Sequence, residues 1–150
     1  MTTTLPTTEP DPRDRVIWAL RRAELAVQNL KDRELRALGM AAAHYTLLVS
    51  VHAEPGLAGA TLARRLNVTP QAIASLVTRL EGRGLIERRT HPRHPQVQEL
   101  HLTTAGQGAL EQADQVIAVI EQRVVDSLGA AGSDQLRSAL DRLTASIRPE

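Results

Sequence analysis

Apolar residues return every three or four positions through most of this chain, and the gaps between those runs fall on Gly, Pro, Asn and Asp. Asp11, Pro12 and Asp14 have the order of a helix start: an acidic cap, a proline at the first helical position and a second acid in the first turn. Val16, Ile17, Leu20, Ala23, Val27 and Leu30 continue one stripe, so the first helix is predicted to reach about Leu38 and to stop at Gly39. A second helix is predicted from about Ala41 to Ala53, ending before Glu54-Pro55-Gly56. Leu62, Ala63 and Leu66 form the inward side of a short third helix, and Asn67-Val68 makes a turn. Thr69 and Pro70 repeat the cap-then-proline signal, starting a fourth helix that runs to about Arg83 and is stopped by Gly84. Its buried stripe is Ile73, Leu76, Val77 and Leu80.

Beyond Gly84 the pattern changes. Ile86 to Thr90 and Val97 to Leu102 have strand length and partial alternation, and the segment between them, His91-Pro92-Arg93-His94-Pro95-Gln96, holds two prolines that keep it out of a ladder. Thr103 to Gly106 then opens a fifth helix to about Leu128, with Ala109, Ala113, Val116, Ile117, Ile120 and Val124 along one stripe. Gly129 and Gly132 are expected to break it, and Ser133-Asp134 to cap a sixth helix carrying Leu136, Leu140, Leu143 and Ile147. The fold class is therefore mainly α with a small β hairpin.

Helix, tight turn, helix and basic hairpin, in that order, make a winged helix-turn-helix, whose second helix enters the DNA major groove while the hairpin reaches the backbone or the minor groove. With the apolar stripe turned inward, Thr69, Pro70, Gln71, Ser75, Thr78 and Arg79 are left to face DNA. Gln can bond an adenine edge through both its amide atoms, Ser and Thr are permissive, and Arg suits guanine or phosphate. Arg88 and Arg89 at the base of the hairpin and Arg93 and His94 at its tip are the wing candidates. Charge supports the assignment: residues 61–94 hold seven Arg against Glu81 and Glu87, a net +5 in a chain whose total is only +1. The rest of the chain is acidic.

The apolar stripes of the first, fifth and sixth helices exceed what the DNA-reading lobe can cover. Residues 11–38 and 104–150 are accordingly expected to form a helical dimerisation lobe, residues 41–103 the DNA-binding lobe, and residues 1–10 a disordered tail. With one Trp, one Tyr and no Phe, the chain lacks the aromatic platforms of RNA-recognition sheets and single-strand grooves, which leaves duplex DNA as the nucleic-acid partner. The absence of Cys excludes disulfides, thiolate zinc sites and thiol chemistry. No secretory signal and no run of membrane-spanning length is present, so a cytoplasmic protein without a membrane partner is expected. Glycine-rich phosphate loops and the His-Glu-x-x-His and Gly-x-Ser-x-Gly motifs are also missing, which argues against an enzyme, and nothing calls for a cofactor.

Three stretches together carry a resemblance: Leu62-Ala63-Arg64-Arg65-Leu66 through Thr69-Pro70-Gln71, Leu80-Glu81-Gly82-Arg83-Gly84-Leu85-Ile86-Glu87-Arg88, and Leu102-Thr103-Thr104-Ala105-Gly106. Over about residues 11–148 the chain resembles the MarR (multiple antibiotic resistance regulator) family of bacterial transcription factors. The resemblance implies an obligate dimer, a recognition helix over 69–83, and often a small ligand between the two lobes; the expected function is that of a repressor acting as a homodimer on a pseudo-palindromic operator and released by a small ligand. The chain departs from the family at two places. Where the family carries Asp and, two residues later, Arg before the second wing strand, this chain has His94 and Gln96; where the family often has Thr-Arg midway along the recognition helix, it has Ala74-Ser75. Arg93 is the substitute candidate for the wing arginine.

For the ligand, Trp18 and Arg21 on the first helix and His44, Tyr45 and His52 on the second are the candidates, and such a set suits a small anionic or aromatic molecule. Trp18 reads equally well as the largest plug in a core poor in aromatics. Two other readings stay open: a winged helix kept as a protein-interaction module, and a metal-responsive regulator built on His91 and His94, the one close histidine pair.

Overall fold

The computed structural model describes residues 10–148, so all but the last residue of the tail expected over 1–10 lies outside it. Asp11 does cap a turn, its Oδ1 accepting the Arg13 N–H at 2.9 Å, but that turn is a single 3-10 turn, Pro12–Asp14. Arg15 is extended, and helix α1 starts only at Val16, running Val16–Leu35 before a second 3-10 turn, Arg36–Leu38, and Gly39 at φ 67°. The chain continues as α2 (Ala42–Ala53), β1 (Leu57–Ala58), α3 (Gly59–Leu66), α4 (Pro70–Gly82), β2 (Ile86–Thr90), β3 (Gln98–Leu102) and α5 (Thr104–Ile147).

The hairpin β2–β3 forms with Ile86 opposite Leu102 and Arg88 opposite Leu100. It is extended by a strand the pattern did not reveal: β1 pairs antiparallel with β3, Leu57 opposite Leu100, giving the sheet order β1-β3-β2. Leu35, Leu47, Leu48, Leu62, Leu80 and Ile86 are fully buried where α1, α2, α3, α4 and the sheet meet, a core without a single aromatic ring among its largest members. Aliphatic burial at about 25 cal/mol per Å² supplies its cohesion.

The break expected at Gly129 is present, as a kink between two helical segments that together make up α5, whereas Gly132 lies inside the second segment. Gly129, with φ 74° and ψ 162°, divides it into segments 104–128 and 130–147. A positive φ of this kind suits glycine. Ser133 is therefore not the cap: the helix has resumed by 130, and the Ser133 hydroxyl donates back to the Gly129 carbonyl at 2.8 Å. At its other end α5 is locked to the wing. Thr103 Oγ1 accepts the Gly106 N–H at 2.9 Å and donates to the Gly84 carbonyl at 2.5 Å, while the Thr103 N–H donates to the Leu85 carbonyl at 3.1 Å. In the single chain, apolar side chains of α1 and of segment 130–147 face solvent: Val16 is 78% exposed, Ile17 and Ile147 70%, and Leu136, Leu140 and Leu143 are also open.

Candidate nucleic-acid interface

Helix α4 is built to present its N-terminal half. Thr69 Oγ1 accepts the Ala72 N–H at 3.1 Å, satisfying one of the free donors of the first turn, and Pro70 follows as the first helical residue. Ile73, Val77 and Leu80 are buried against α3 and the sheet, leaving Thr69, Pro70, Gln71, Ser75, Thr78 and Arg79 exposed on the outer side. The turn that sets α3 against α4 passes through Asn67 in the left-handed region at φ 52°.

The two wing-base arginines part company, as strand alternation requires. Arg88 faces α4, its Nη2 donating to Thr78 Oγ1 at 3.2 Å and its Nε lying 3.2 Å from Glu81 Oε2. Arg89 points to the other face and is paired with Glu87, Nε to Oε1 2.9 Å. Thr78 and Arg88 are thus parts of one bonded unit that joins the wing to the helix. At the wing tip the His91 Nδ1 accepts the backbone N–H groups of Arg93 (3.1 Å) and His94 (3.2 Å), and the His91 and His94 rings lie 5.0 Å apart. This turn leaves the Arg93 side chain without a hydrogen bond or ion pair among the described residues.

The seven arginines pooled in the charge count therefore differ in kind. Arg65 is bonded to Glu54, Arg88 to Glu81 and Arg89 to Glu87, whereas Arg64, Arg79 and Arg93 have no carboxylate partner among the described residues. Arg83, which the sequence reading did not single out, holds two backbone carbonyls: Nη1 donates to Gly39 at 2.8 Å and Nη2 to Leu38 at 3.4 Å. Among the described residues no group of three or more His, Asp or Glu is placed to hold a metal ion. His91 spends its Nδ1 on the backbone, and its Nε2 faces Glu99 Oε1 at 3.9 Å, while His101 Nε2 lies 3.2 Å from the other oxygen of the same carboxylate.

The five ligand candidates are not gathered in one place. Tyr45 and His52 share one side of α2 with Val49 and, with Gln107, Leu110, Glu111 and Asp114 of α5, line a cavity of about 280 Å³. The Tyr45 hydroxyl donates to Asp114 Oδ1 at 2.7 Å; burial and then this carboxylate push the phenol pKa up to about 12. His44, one residue before Tyr45, is rotated about 100° around the helix and turned into the protein. It is only 7% exposed, and its Nδ1 accepts the Ala41 N–H at 3.0 Å, closing the first turn of α2. Burial, followed by the nearby Arg79 and Arg83, lowers its pKa, with Asp32 opposing. Trp18, 43% exposed, and Arg21 lie on α1 and are not part of the cavity wall.

No helix of the described residues is long and apolar enough to cross a membrane. A sequence model of the MarR family matches residues 38–94, which span α2, α3, α4, β2 and the wing tip. A transcriptional regulatory protein proposed for the hcr operon of Thauera aromatica is 30% identical over 125 residues, 83% of this chain and 75% of that protein. Among solved structures, the transcriptional repressor CouR bound to a 23-mer DNA duplex is 27% identical, with a TM-score of 0.81 over 87% of this chain and 92% of CouR. The Mycobacterium tuberculosis MarR family protein Rv2887 in complex with salicylic acid is 25% identical, with a TM-score of 0.72 over 93% of this chain and 99% of Rv2887.

Proposed function

The chain belongs to the MarR family, and from that premise we propose that it is a duplex-DNA-binding transcriptional repressor that works as a homodimer on a pseudo-palindromic operator and is released by a small ligand. The carrying observation is the exposed, capped N-terminal half of α4, with Gln71 and Ser75 on its outer side, next to a wing whose tip arginine has no hydrogen-bond or ion-pair partner among the described residues. In this reading Gln71 and Ser75 meet base edges. Thr69, Pro70, Arg79 and Arg93 meet the backbone or the minor groove, His94 accompanies Arg93, and Arg89 adds a phosphate contact when it leaves Glu87. Arg88 and Thr78 act together, since moving either disturbs the other.

The open apolar stripes on α1 and on segment 130–147 are assigned to the partner subunit, with residues 11–38 and 104–150 as the dimerisation lobe. Two heads related by a two-fold axis then address half-sites about one helical turn apart. The DNA-bound state of CouR supports the duplex as the partner, and the salicylic acid complex of Rv2887 supports a small aromatic acid as a ligand class. The cavity of Tyr45 and His52 is the proposed seat, because it lies between α2 of the head and α5 of the other lobe. Fluorescence anisotropy with labelled duplexes tests the reading: affinity should fall steeply and linearly on logarithmic axes as salt rises. Affinity for duplexes that is absent, or that ignores salt, would replace this reading with the protein-interaction module.

A further inference from the structure

The C-terminal end of α1 and the C-terminal end of α4 are joined by one side chain. Arg83 follows the last residue of α4, and its guanidinium reaches 44 positions back to donate to the Gly39 carbonyl at 2.8 Å and, at 3.4 Å, to that of Leu38. These carbonyls belong to the last residue of the 3-10 turn that follows α1 and to Gly39, which caps it, at a helix end where carbonyls lack intrahelical donors and carry a partial negative charge. A guanidinium suits two neighbouring carbonyls, because its donors form a rigid fork. On the other side of the same junction, Asp32 of α1 accepts the Ala42 N–H at 2.7 Å and so holds the start of α2. Otherwise α1 packs mainly on α2 and α5.

We propose that Arg83 is a positioning residue that fixes the angle of the recognition helix relative to the dimer helices, and through it the half-site spacing that the homodimer accepts. This rests on the DNA-binding reading given above. Helix α4 has 13 residues, so it is about 20 Å long, with the clasp at one end and Gln71 near the other. A tilt of roughly 5° about the clasped end moves the Gln71 end by about 2 Å, enough to take a side chain out of hydrogen-bond range of a base. Arg83 itself is turned toward α1, away from the exposed side of α4 that carries Gln71 and Ser75.

The test compares wild-type, Arg83→Met and Arg83→Lys proteins on a series of duplexes that carry the same two half-sites with spacers lengthened or shortened by one and two base pairs. Melting curves and sedimentation are run alongside. The expected result for Arg83→Met is a folded dimer with wild-type affinity and salt slope on random duplex, about tenfold weaker binding at the best spacing, and a flattened spacing profile. Arg83→Lys, with one donor group in place of a fork, should fall between the two. A profile that keeps its shape overturns the proposal, as does an equal loss on random duplex with a shallower salt slope, which would make Arg83 a phosphate contact.

A second measurement needs no DNA. The chain has no cysteine, so Glu24→Cys on α1 and Ser75→Cys on α4 give two unique spin-label sites. One doubly labelled subunit is diluted into unlabelled protein, so the distance read is within a subunit. Its distribution should broaden in both Arg83 variants, and an unchanged distribution overturns the proposal even in a variant too weak to assay on duplexes. Wild-type protein that ignores every duplex would instead sink the DNA reading, while the label distances would still decide whether Arg83 sets the helix angle.

Discussion

The junction of wing and long helix gives a sharp contrast between two glycines of α5. A Cβ built on Gly106 would stand 1.9 Å from the Leu85 carbonyl oxygen and 2.9 Å from its carbon, whereas nothing lies within 4 Å of one built on Gly108. Gly106→Ala must therefore drive the start of α5 more than about 1 Å away from backbone that has no flexible end to yield. That displacement breaks the two bonds from Thr103 to Gly84 and Leu85, each worth about 1 kcal/mol, and uncovers part of the buried Leu85 side chain. The total is about 3–4 kcal/mol, a large share of the 5–15 kcal/mol of a typical domain, and corresponds to a fall in Tm of roughly 10 °C. Gly108→Ala, on an exposed part of the helix, should raise stability by about 0.5–1 kcal/mol through helix propensity alone. Urea and thermal denaturation at one fixed protein concentration measure both, since a dimer's stability depends on concentration. Gly106→Ala protein as stable as wild type would show that the close approach of α5 to the wing is wrong.

Gln71→Ala should cost about 1–3 kcal/mol on an operator and leave random duplex nearly unaffected, as anisotropy titrations on both would show. Arg93→Ala should weaken all duplexes and reduce the salt slope by about one unit, read from the same titrations at several salt concentrations. Thr69→Ala should destabilise the fold by about 1 kcal/mol in urea denaturation through loss of the α4 cap. His44 gives a pH dependence: its folded pKa lies below the ordinary 6.5, so the unfolded chain binds the extra proton more readily, and stability present above pH 6.5 is lost as the pH falls from 6.5 toward the lowered value. His44→Asn, whose carbonyl can accept the Ala41 N–H without titrating, should flatten that slope between pH 7.5 and 5.

Much of this molecule is written in local chemistry. Thr69-Pro70 and the stripe Ile73, Val77, Leu80 place α4 to within a residue at either end, because cap, proline and periodicity all act inside one helix. What the pattern hides is set by distant partners. Strand β1 is two residues long, too short for alternation to register, and exists because Leu57 meets Leu100. The Ser133 cap signal is overridden because the break falls entirely at Gly129, so the second helical segment starts at 130, ahead of Ser133. The candidate interface shows the same division. Exposure of Gln71 and Ser75 follows from helical spacing, but the partners of the arginines do not. Counting charge treats Arg88 and Arg93 alike, while the fold ties one to Glu81 and Thr78 and leaves the other open. His44 beside Tyr45 looks like one polar pair in the sequence, and rotation about the helix sends one inward to cap α2 and the other to the cavity with Asp114.

Selection of bound duplexes from a random double-stranded library tests the central claim most directly, since it presumes neither an operator nor a ligand. The protein should enrich a pseudo-palindrome whose half-sites are centred about one helical turn apart, and Gln71→Ala protein should select a relaxed version of the same sequence with unchanged spacing. A library that returns without enrichment, or with a single asymmetric site bound by one subunit, would contradict the account.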